Sequence, residues 1–222
     1  MVRDKHKDRH YFSRKNEFLF KGIDTFLDTA KIVKEEQRGT VELSLSHFYE
    51  NLFKSTYSFG EDVNNIFDYY LKALGYYKNK VDDNSSLYDI IDYFAIGVLY
   101  SDRKSEFIDD LKVLYVNLVY TDDLIEYYMA YLFHDKIVPY RSVLEYQNMI
   151  GDDFDSVQKA QGFWYYEHSD APWYETHHYD NRGYYGYWAF DTAATCKIKG
   201  IYDERLKNLD YFPYDLLVQE WQ

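Results

Sequence analysis

Four side chains in one aromatic-rich stretch of the sequence are of the types that bind metal ions. They lie between Gly162 and Tyr187 and are His168, Glu175, His177 and His178. Adjacent histidines such as the last two rarely bind one ion on a regular element, because their side chains diverge, and i, i+4 spacing on a helix would be more persuasive. We therefore expect these histidines to pack or to lie at the surface, and we predict neither a metal nor a cofactor.

Paired carboxylates occur five times and could in principle serve general acid–base catalysis. The pairs are Glu61-Asp62, Asp82-Asp83, Asp109-Asp110, Asp122-Asp123 and Asp152-Asp153. Most of them stand just before apolar runs with helical periodicity, where a carboxylate accepts hydrogen bonds from free backbone amides and complements the helix dipole. Acid–base catalysis would need a desolvated carboxylate in a pocket. We predict that the pairs cap helices.

The remaining chemistry of the sequence also argues against an enzyme. No Gly-rich phosphate loop, nucleophile elbow or pair of Cys-x-x-Cys motifs is present. Cys196 falls beside Ala193 and Ala194 on an apolar helix face, which predicts a buried small residue and no nucleophile. A single cysteine excludes an internal disulfide and fits a reducing compartment. We predict no catalytic residues.

The charge of the chain indicates what kind of partner it binds. The formal net charge is −13, and the first 38 residues carry ten Lys and Arg against seven Asp and Glu, so the acidity belongs to the rest of the chain. A nucleic-acid binder needs clustered cations to neutralise phosphates, and an anionic membrane surface needs them too. We predict a basic protein as the partner, with no nucleic acid and no membrane.

The elements that position these residues are predicted to be helices throughout. Pro and Gly together number only 13, and few turn-forming residues over this length favour long helices. Apolar residues recur at helical spacing in six stripes, within 12–33, 45–56, 63–74, 87–98, 107–118 and 124–132. Short loops between them predict an all-α fold of antiparallel helical hairpins packed into one compact bundle. We divide it into an N-terminal helical half, 1–118, and a C-terminal half, 119–222.

Several residues are predicted to mark the ends of these helices. The first stripe ends before Gly39, Gly60 stops the second, and residues 81–86 form a loop that caps the next helix. Pro139 stops a later helix. Beyond it we expect a helix that ends near Tyr166, an ordered aromatic-rich loop, and a new helix from about Gly186.

The C-terminal segment carries a family resemblance. Residues 183–217 read GYYGYWAFDTAATCKIKGIYDERLKNLDYFPYDLL, which resembles the C-terminal hallmark of PoNi-type proteins, the immunity partners of polymorphic nuclease toxins. That family typically shows Gly-Tyr-Trp-x-Phe-Glu-Ala-Ala and then Tyr-x-Pro-Tyr-Asp. Asp191 stands for the commoner Glu, and Thr192 for the first Ala. The matching residues are Trp164, Trp173, Gly186, Tyr187, Trp188, Phe190, Asp191, Tyr211, Pro213, Tyr214 and Asp215.

The resemblance implies an all-helical immunity protein that binds a cognate DNase toxin of a bacterial secretion system and blocks its active site. We expect the hallmark itself to be structural: a glycine for close helix approach, Trp188 and Phe190 in the core, and Pro213 as a stop. Toxin contact should then fall on acidic surface. The candidate toxin-binding residues are Asp122, Asp123, Glu126, Asp152, Asp153, Asp155, Tyr165 and Tyr166.

Two other classes of function stay open. A general helical protein-interaction scaffold would show a repeat of fixed period, which we do not find. A small-molecule or metal enzyme would use the histidine-rich loop. The charged start, MVRDKHKDRHYFSRK, contains no apolar stretch, and the longest apolar run, residues 93–100, is too short to cross a bilayer. We therefore expect a cytoplasmic protein.

Overall fold

The computed structural model describes residues 1–179 and 183–219, and every regular element in these ranges is a helix. The predicted all-α fold is confirmed. Contacts group the residues into two units: the first contains 1–82, 112–117 and 175–187, and the second contains 83–111, 118–174 and 188–222. The expected sequence halves, 1–118 and 119–222, stay a prediction, and each unit draws on more than one stretch of chain.

The first unit is built on three successive helices joined by very short connections. They are α1 (Arg9–Ile32), α2 (Glu35–Phe59) and α3 (Val63–Tyr77). Connections of two and three residues fold each helix back along its predecessor, so α1 packs on α2 and α2 on α3. Phe12, Leu52 and Phe67 are completely buried in the core of this unit. The predicted helical hairpins are therefore present here.

The second unit has α4 at its centre. Helix α4 is Leu87–Leu99, and α5 (Ile108–Val116) begins in this unit and ends in the first. The other helices of the second unit are α6 (Asp123–Phe133), α7 (Phe154–Glu167), α8 (Phe190–Lys199) and α9 (Tyr214–Leu217). α4 packs against α6 and α8, and α8 packs against α9. Short 3-10 helices cover Ser101–Glu106, Gln147–Met149 and Glu204–Asn208.

Four of the five acidic pairs lie at helix starts, as predicted. Asp62, Asp122 and Asp153 are N-cap residues whose carboxylates accept from backbone amides of α3, α6 and α7. Asp109 and Asp110 occupy the first turn of α5. The pair Asp82-Asp83 is the exception, because it lies in the loop before α4, where Ser86 provides the cap.

Three predicted helix boundaries are wrong. The first helix ends at Ile32, so Gly39 lies inside α2 and marks no stop. α6 ends at Phe133, well before Pro139, because His134 takes a left-handed conformation with φ 57°. The last long helix begins at Phe190 and not near Gly186, because Gly186 has φ 104° and the backbone through Ala189 is not helical. The helix expected to end near Tyr166 does so, at Glu167.

Candidate functional site

A buried polar network surrounds Asp191 at the start of α8. The side chain is 3% exposed, and its Oδ2 accepts hydrogen bonds from the hydroxyl of Tyr146 and from Nε2 of Gln147, the latter at 2.8 Å. The hydroxyl of Tyr128, on α6, donates to the backbone oxygen of Asp191 at 2.9 Å. The network joins three elements of the second unit around one carboxylate.

The tyrosines of this network remain hydrogen-bond donors at any physiological pH. Burial, reinforced by the nearby charge of Asp191, raises the pKa of Tyr128 and of Tyr146 well above the ordinary value of a phenol. Thr195 extends the network by donating to Oε1 of Gln147 at 3.1 Å. Because every member is buried, the arrangement orders the core of the unit and presents nothing to a substrate.

His168 lies in an aromatic box and not in a metal site. Its ring centroid lies 4.4 Å from Tyr88, 4.8 Å from Trp164 and 5.2 Å from Trp173. Its Nδ1 donates to the backbone oxygen of Trp164 at 2.6 Å, since a carbonyl oxygen only accepts. Burial lowers the pKa of His168 and favours the neutral ring. The Trp164 and Trp173 rings stack on each other at 5.6 Å.

The first part of the hallmark fixes the backbone in the first unit. Gly186 has φ 104°, a backbone conformation that a side chain would strain, and its predicted role in close helix approach stays a prediction. Tyr187 is buried, and its hydroxyl accepts from the backbone N–H of His177 at 3.1 Å. Tyr184 donates through its hydroxyl to Asp4 and accepts at its backbone oxygen from the hydroxyl of Tyr11.

The last part of the hallmark makes a turn in the second unit. Tyr211 has φ 64°, its ring stacks on Tyr165 at 5.1 Å, and its backbone oxygen accepts from the backbone N–H of Ala189 at 2.9 Å. Pro213 is the residue before α9, so it begins a helix and does not stop one. Phe190 is completely buried as predicted, whereas Trp188 is only partly buried.

Two hallmark residues are more open to solvent. Tyr214 is partly buried and Asp215 is exposed in the first turn of α9, where a carboxylate complements the helix dipole. The structural role of these two hallmark residues stays a prediction.

Asp122, one of the candidate toxin-binding residues, is not on the surface. It is 5% exposed, its Oδ1 accepts from the backbone N–H of Leu124 and its Oδ2 from that of Val143, both at 2.8 Å. Both oxygens therefore fix the backbone. The prediction that Asp122 contacts a partner is wrong, because the same carboxylate that caps α6 also holds the loop that follows this helix.

The other candidate acids are exposed. Asp123 and Glu126 lie on the first turn of α6, and Asp152, Asp153 and Asp155 lie at the start of α7. Asp152 is close enough to Tyr127 of α6 that its charge adds to burial in raising the pKa of this tyrosine to about 12. It also forms an ion pair with Lys199 at 3.2 Å. Asp152, just before α7, thus interacts electrostatically with Tyr127 of α6 and with Lys199 of α8 within the second unit.

The two candidate tyrosines differ in exposure. Tyr166 is 69% exposed. Tyr165 is partly buried, and its ring stacks on Tyr174 at 4.6 Å as well as on Tyr211. Only Tyr166 is therefore freely accessible to a partner, whereas Tyr165 packs against other aromatic rings of its own unit.

The described histidines of the aromatic-rich loop lie against other rings, and the cysteine is buried. Within residues 1–179 and 183–219, no three His, Cys, Asp or Glu side chains are placed to hold a metal ion. In the first unit the ring centroid of His177 lies 3.8 Å from that of His178 and 4.0 Å from that of His6, and both pairs of rings are tilted. Burial raises the pKa of the Cys196 thiol to about 12, so it is not a thiolate at neutral pH.

The acidity of the chain is confined to one unit. By sequence, the first unit has sixteen Lys and Arg against fifteen Asp and Glu, a net charge of +1. The second unit has nine against twenty-three, a net charge of −14. The exposed candidate acids and most of the hallmark belong to this acidic unit.

Two family models match the chain. The N-terminal part of the PoNe immunity protein (PoNi) matches residues 3–109, and the C-terminal part of the PoNe immunity proteins matches residues 127–216. Together the two matches cover most of the sequence. The chain belongs to the family of PoNe immunity proteins. The resemblance seen in the sequence motifs is confirmed, and membership makes the chain an immunity protein against a polymorphic nuclease toxin.

No curated protein and no solved structure matches this immunity protein significantly. None of its described helices is long and apolar enough to span a membrane. The C-terminal family match includes the Asp191 network, the turn at Tyr211 and the His168 box except for Tyr88, which lies in the N-terminal match.

Two features of this PoNe immunity protein were missed in the sequence. One is the loop 137–143, which carries exposed apolar residues and is held by acids from α6. A run of Ile, Val and Pro after a helix was the available signal, and it was interpreted only as a helix stop. The other is the contact of His6 with His177, which joins residues far apart in the sequence and which no local pattern indicates.

Proposed function

We propose that this immunity protein binds a cognate DNase toxin of a bacterial secretion system and inhibits it by covering its basic DNA-binding or active-site surface. The observation that carries the proposal is the charge of −14 on the second unit of a PoNe immunity protein. A DNase binds phosphates through clustered cations, so a rigid acidic surface competes with DNA for the same groups.

The proposed contact surface contains the exposed candidate residues at the starts of α6 and α7, with Tyr166 on the same helix as the latter. They are Asp123, Glu126, Asp152, Asp153, Asp155 and Tyr166. Carboxylates pair with Lys and Arg of a partner, and an exposed tyrosine contributes apolar area and stacks on guanidinium groups. The backbone N–H of Ser156 donates to Oδ1 of Asp153 at 2.9 Å and orients this carboxylate, so it loses less conformational freedom on binding.

We further propose that the protein acts by binding alone and works in the cytoplasm, where an incoming nuclease would reach the chromosome. Carboxylates that resemble catalytic pairs in the sequence are occupied as helix caps, and the one thiol is buried with a raised pKa. The inhibitory effect therefore requires one immunity protein per toxin molecule and no turnover.

The test is co-expression of this chain with its cognate PoNe toxin. We expect cells that make both proteins to grow, and the two proteins to co-purify at equal stoichiometry. Cells that make the toxin with an unrelated acidic protein are the control for charge alone. Continued killing in the presence of the folded immunity protein would contradict the proposal.

A further inference from the structure

The loop that follows α6 is held by side chains along its backbone. Three consecutive amides donate to side-chain oxygens: that of Arg141 to Asp123 at 3.3 Å, that of Ser142 to Asn148 at 2.9 Å and that of Val143 to Asp122 at 2.8 Å. Asn148 also donates through Nδ2 to the backbone oxygen of Ser142 at 2.8 Å. Backbone groups of most surface loops bond to water, and this loop is fixed without it.

The loop presents apolar side chains to solvent, one of them in the part held by these hydrogen bonds. Ile137 is 42% exposed, Val138 is 52% exposed and Val143 is 68% exposed. Burial in the fold does not explain these residues, and three exposed aliphatic side chains in one short loop are costly for solubility. The held amides are those of residues 141–143, so the backbone beneath Val143 is fixed, which lowers the entropy lost when a partner covers this side chain.

Acidic residues surround the loop and limit what can cover it. Asp123 and Glu126 on α6 are exposed, and Asp135 and Glu145 stand exposed on either side of the loop in sequence. The cations within the same stretch are Lys136 and Arg141. Four acids against two cations, in a unit of net charge −14, favour a basic partner surface with an apolar recess.

We propose that this loop, residues 137–143 (the pinned loop), is the apolar anchor by which the immunity protein binds its nuclease toxin, with Val138 and Val143 as contact residues. This inference rests on the proposed function and specifies the part of the surface that determines affinity. Apolar anchors at the centre of an interface dominate its binding energy, whereas the charged rim mainly sets the rate and specificity of association.

Asp122 has a positioning role in this arrangement. It is buried and touches no partner, but its Oδ2 holds the amide of Val143. Removing this acceptor would release the amide of Val143 while Asp123 and Asn148 still hold the two preceding amides, so we expect it to weaken binding through the Val143 side chain. The effect of an Asp122 substitution on toxin binding should therefore disappear once the anchor side chains of Val138 and Val143 have been removed.

The test compares two matched pairs of substitutions at exposed valines. V138S/V143S removes the anchor, and V113S/V116S makes the same changes on α5, in the first unit, where both valines are also exposed. Affinity for a catalytically inactive form of the cognate PoNe toxin is measured by calorimetry, and unfolding midpoints confirm that each variant is folded. We expect V138S/V143S to weaken binding about tenfold or more and the control pair to stay within about twofold of the parent.

A third variant tests the positioning role and completes the design. D122N should weaken binding in the parent chain but add little in the V138S/V143S background, whereas a purely structural role would give the same loss in both. A V138S/V143S variant that binds like the parent would overturn the anchor and leave the proposed function intact. A parent chain that neither binds nor inhibits the toxin would overturn both.

Discussion

Burying a carboxylate is costly unless donors compensate for the lost water, and Oδ2 of Asp191 accepts from Tyr146 and Gln147, whereas Oδ1 is buried with no hydrogen-bond partner among the described residues. The sequence motif identified Asp191 as a structural residue, since the family pattern has an acid at this place. The motif did not identify its donors. Tyr146 lies 45 residues earlier, and only the packing of the second unit brings it to α8.

Removing one donor should therefore destabilise the protein. Tyr146→Phe leaves a buried charge with one hydrogen bond fewer, and we expect the free energy of unfolding to fall by about 2–3 kcal/mol. Tyr166→Phe removes an exposed hydroxyl and should change it by less than about 0.5 kcal/mol. Urea unfolding of both variants measures the difference. Equal losses would show that the Asp191 network contributes nothing specific.

Replacing either of two glycines with alanine should change the stability of the protein, with opposite signs at the two positions. Gly186 has φ 104°, so Gly186→Ala should cost about 1–2 kcal/mol of stability. Gly162 lies within α7, and an added Cβ would meet no atom within 4 Å. Gly162→Ala should stabilise the protein by about 1 kcal/mol, because alanine is the better helix former. Thermal unfolding of the two variants checks both signs, and a shift in the same direction for both would contradict this account.

Most helices could be predicted from local pattern, because apolar periodicity and capping acids are encoded within the segment that they shape. Asp62, Asp122 and Asp153 are N-caps for this reason. The end of α6 could not be predicted locally. Lys104 donates to the backbone oxygen of Leu132 at 2.9 Å and lies 2.8 Å from Nε2 of His134, so a residue from another segment satisfies the helix end.

The contact between the N-terminal segment and the 175–187 segment gives the stability a pH dependence. Burial, together with His6 and His178, lowers the pKa of His177 to about 4, while Asp4 and Glu175 oppose this shift, and Tyr184 and Tyr187 pack against the ring. The unfolded chain, with an ordinary pKa of 6.5, binds a proton first as the pH falls. Stability from His177 is therefore complete above pH 6.5 and is lost towards pH 4.

His177→Gln should accordingly lose less stability than the parent between about pH 6.5 and pH 4.5. The measurement is the thermal midpoint of both proteins across this range, with the exposed His47→Gln as the matched control. Burial raises the pKa of Asp4, and the charge of His177 opposes this shift, so an Asp4→Asn background in both proteins separates the contribution of His177 from that of Asp4. Parallel pH curves for parent and His177→Gln would show that His177 is not the group responsible.

For the molecule as a whole, the sequence predicted the acidity but not its division between the units. The first 38 residues are basic in the sequence, yet the first unit, which is nearly neutral, also includes residues 39–82, 112–117 and 175–187. Long-range packing decides which residues share a unit. A count of charges along the sequence could therefore not show that the first unit has a net charge of +1 and the second a net charge of −14. The toxin-binding surface could likewise be placed only in the acidic part of the sequence, and one candidate, Asp122, is buried.

The charge division predicts where electrostatics controls association with the toxin. Glu126→Lys with Asp155→Lys changes exposed acids of the second unit, and Asp24→Lys with Asp28→Lys changes exposed acids of α1. We expect the first pair to slow association by about tenfold at low salt and to flatten its salt dependence. The α1 pair should have a much smaller effect. Stopped-flow association rates at several salt concentrations measure both, and equal effects would contradict the division.

The central claim is that this immunity protein keeps DNA off the nuclease. Its most direct test is a competition experiment, in which fluorescent duplex DNA is bound to a catalytically inactive form of the cognate PoNe toxin and the immunity protein is titrated in. We predict that one equivalent displaces the DNA completely. A stable complex that contains toxin, immunity protein and DNA together would contradict the claim.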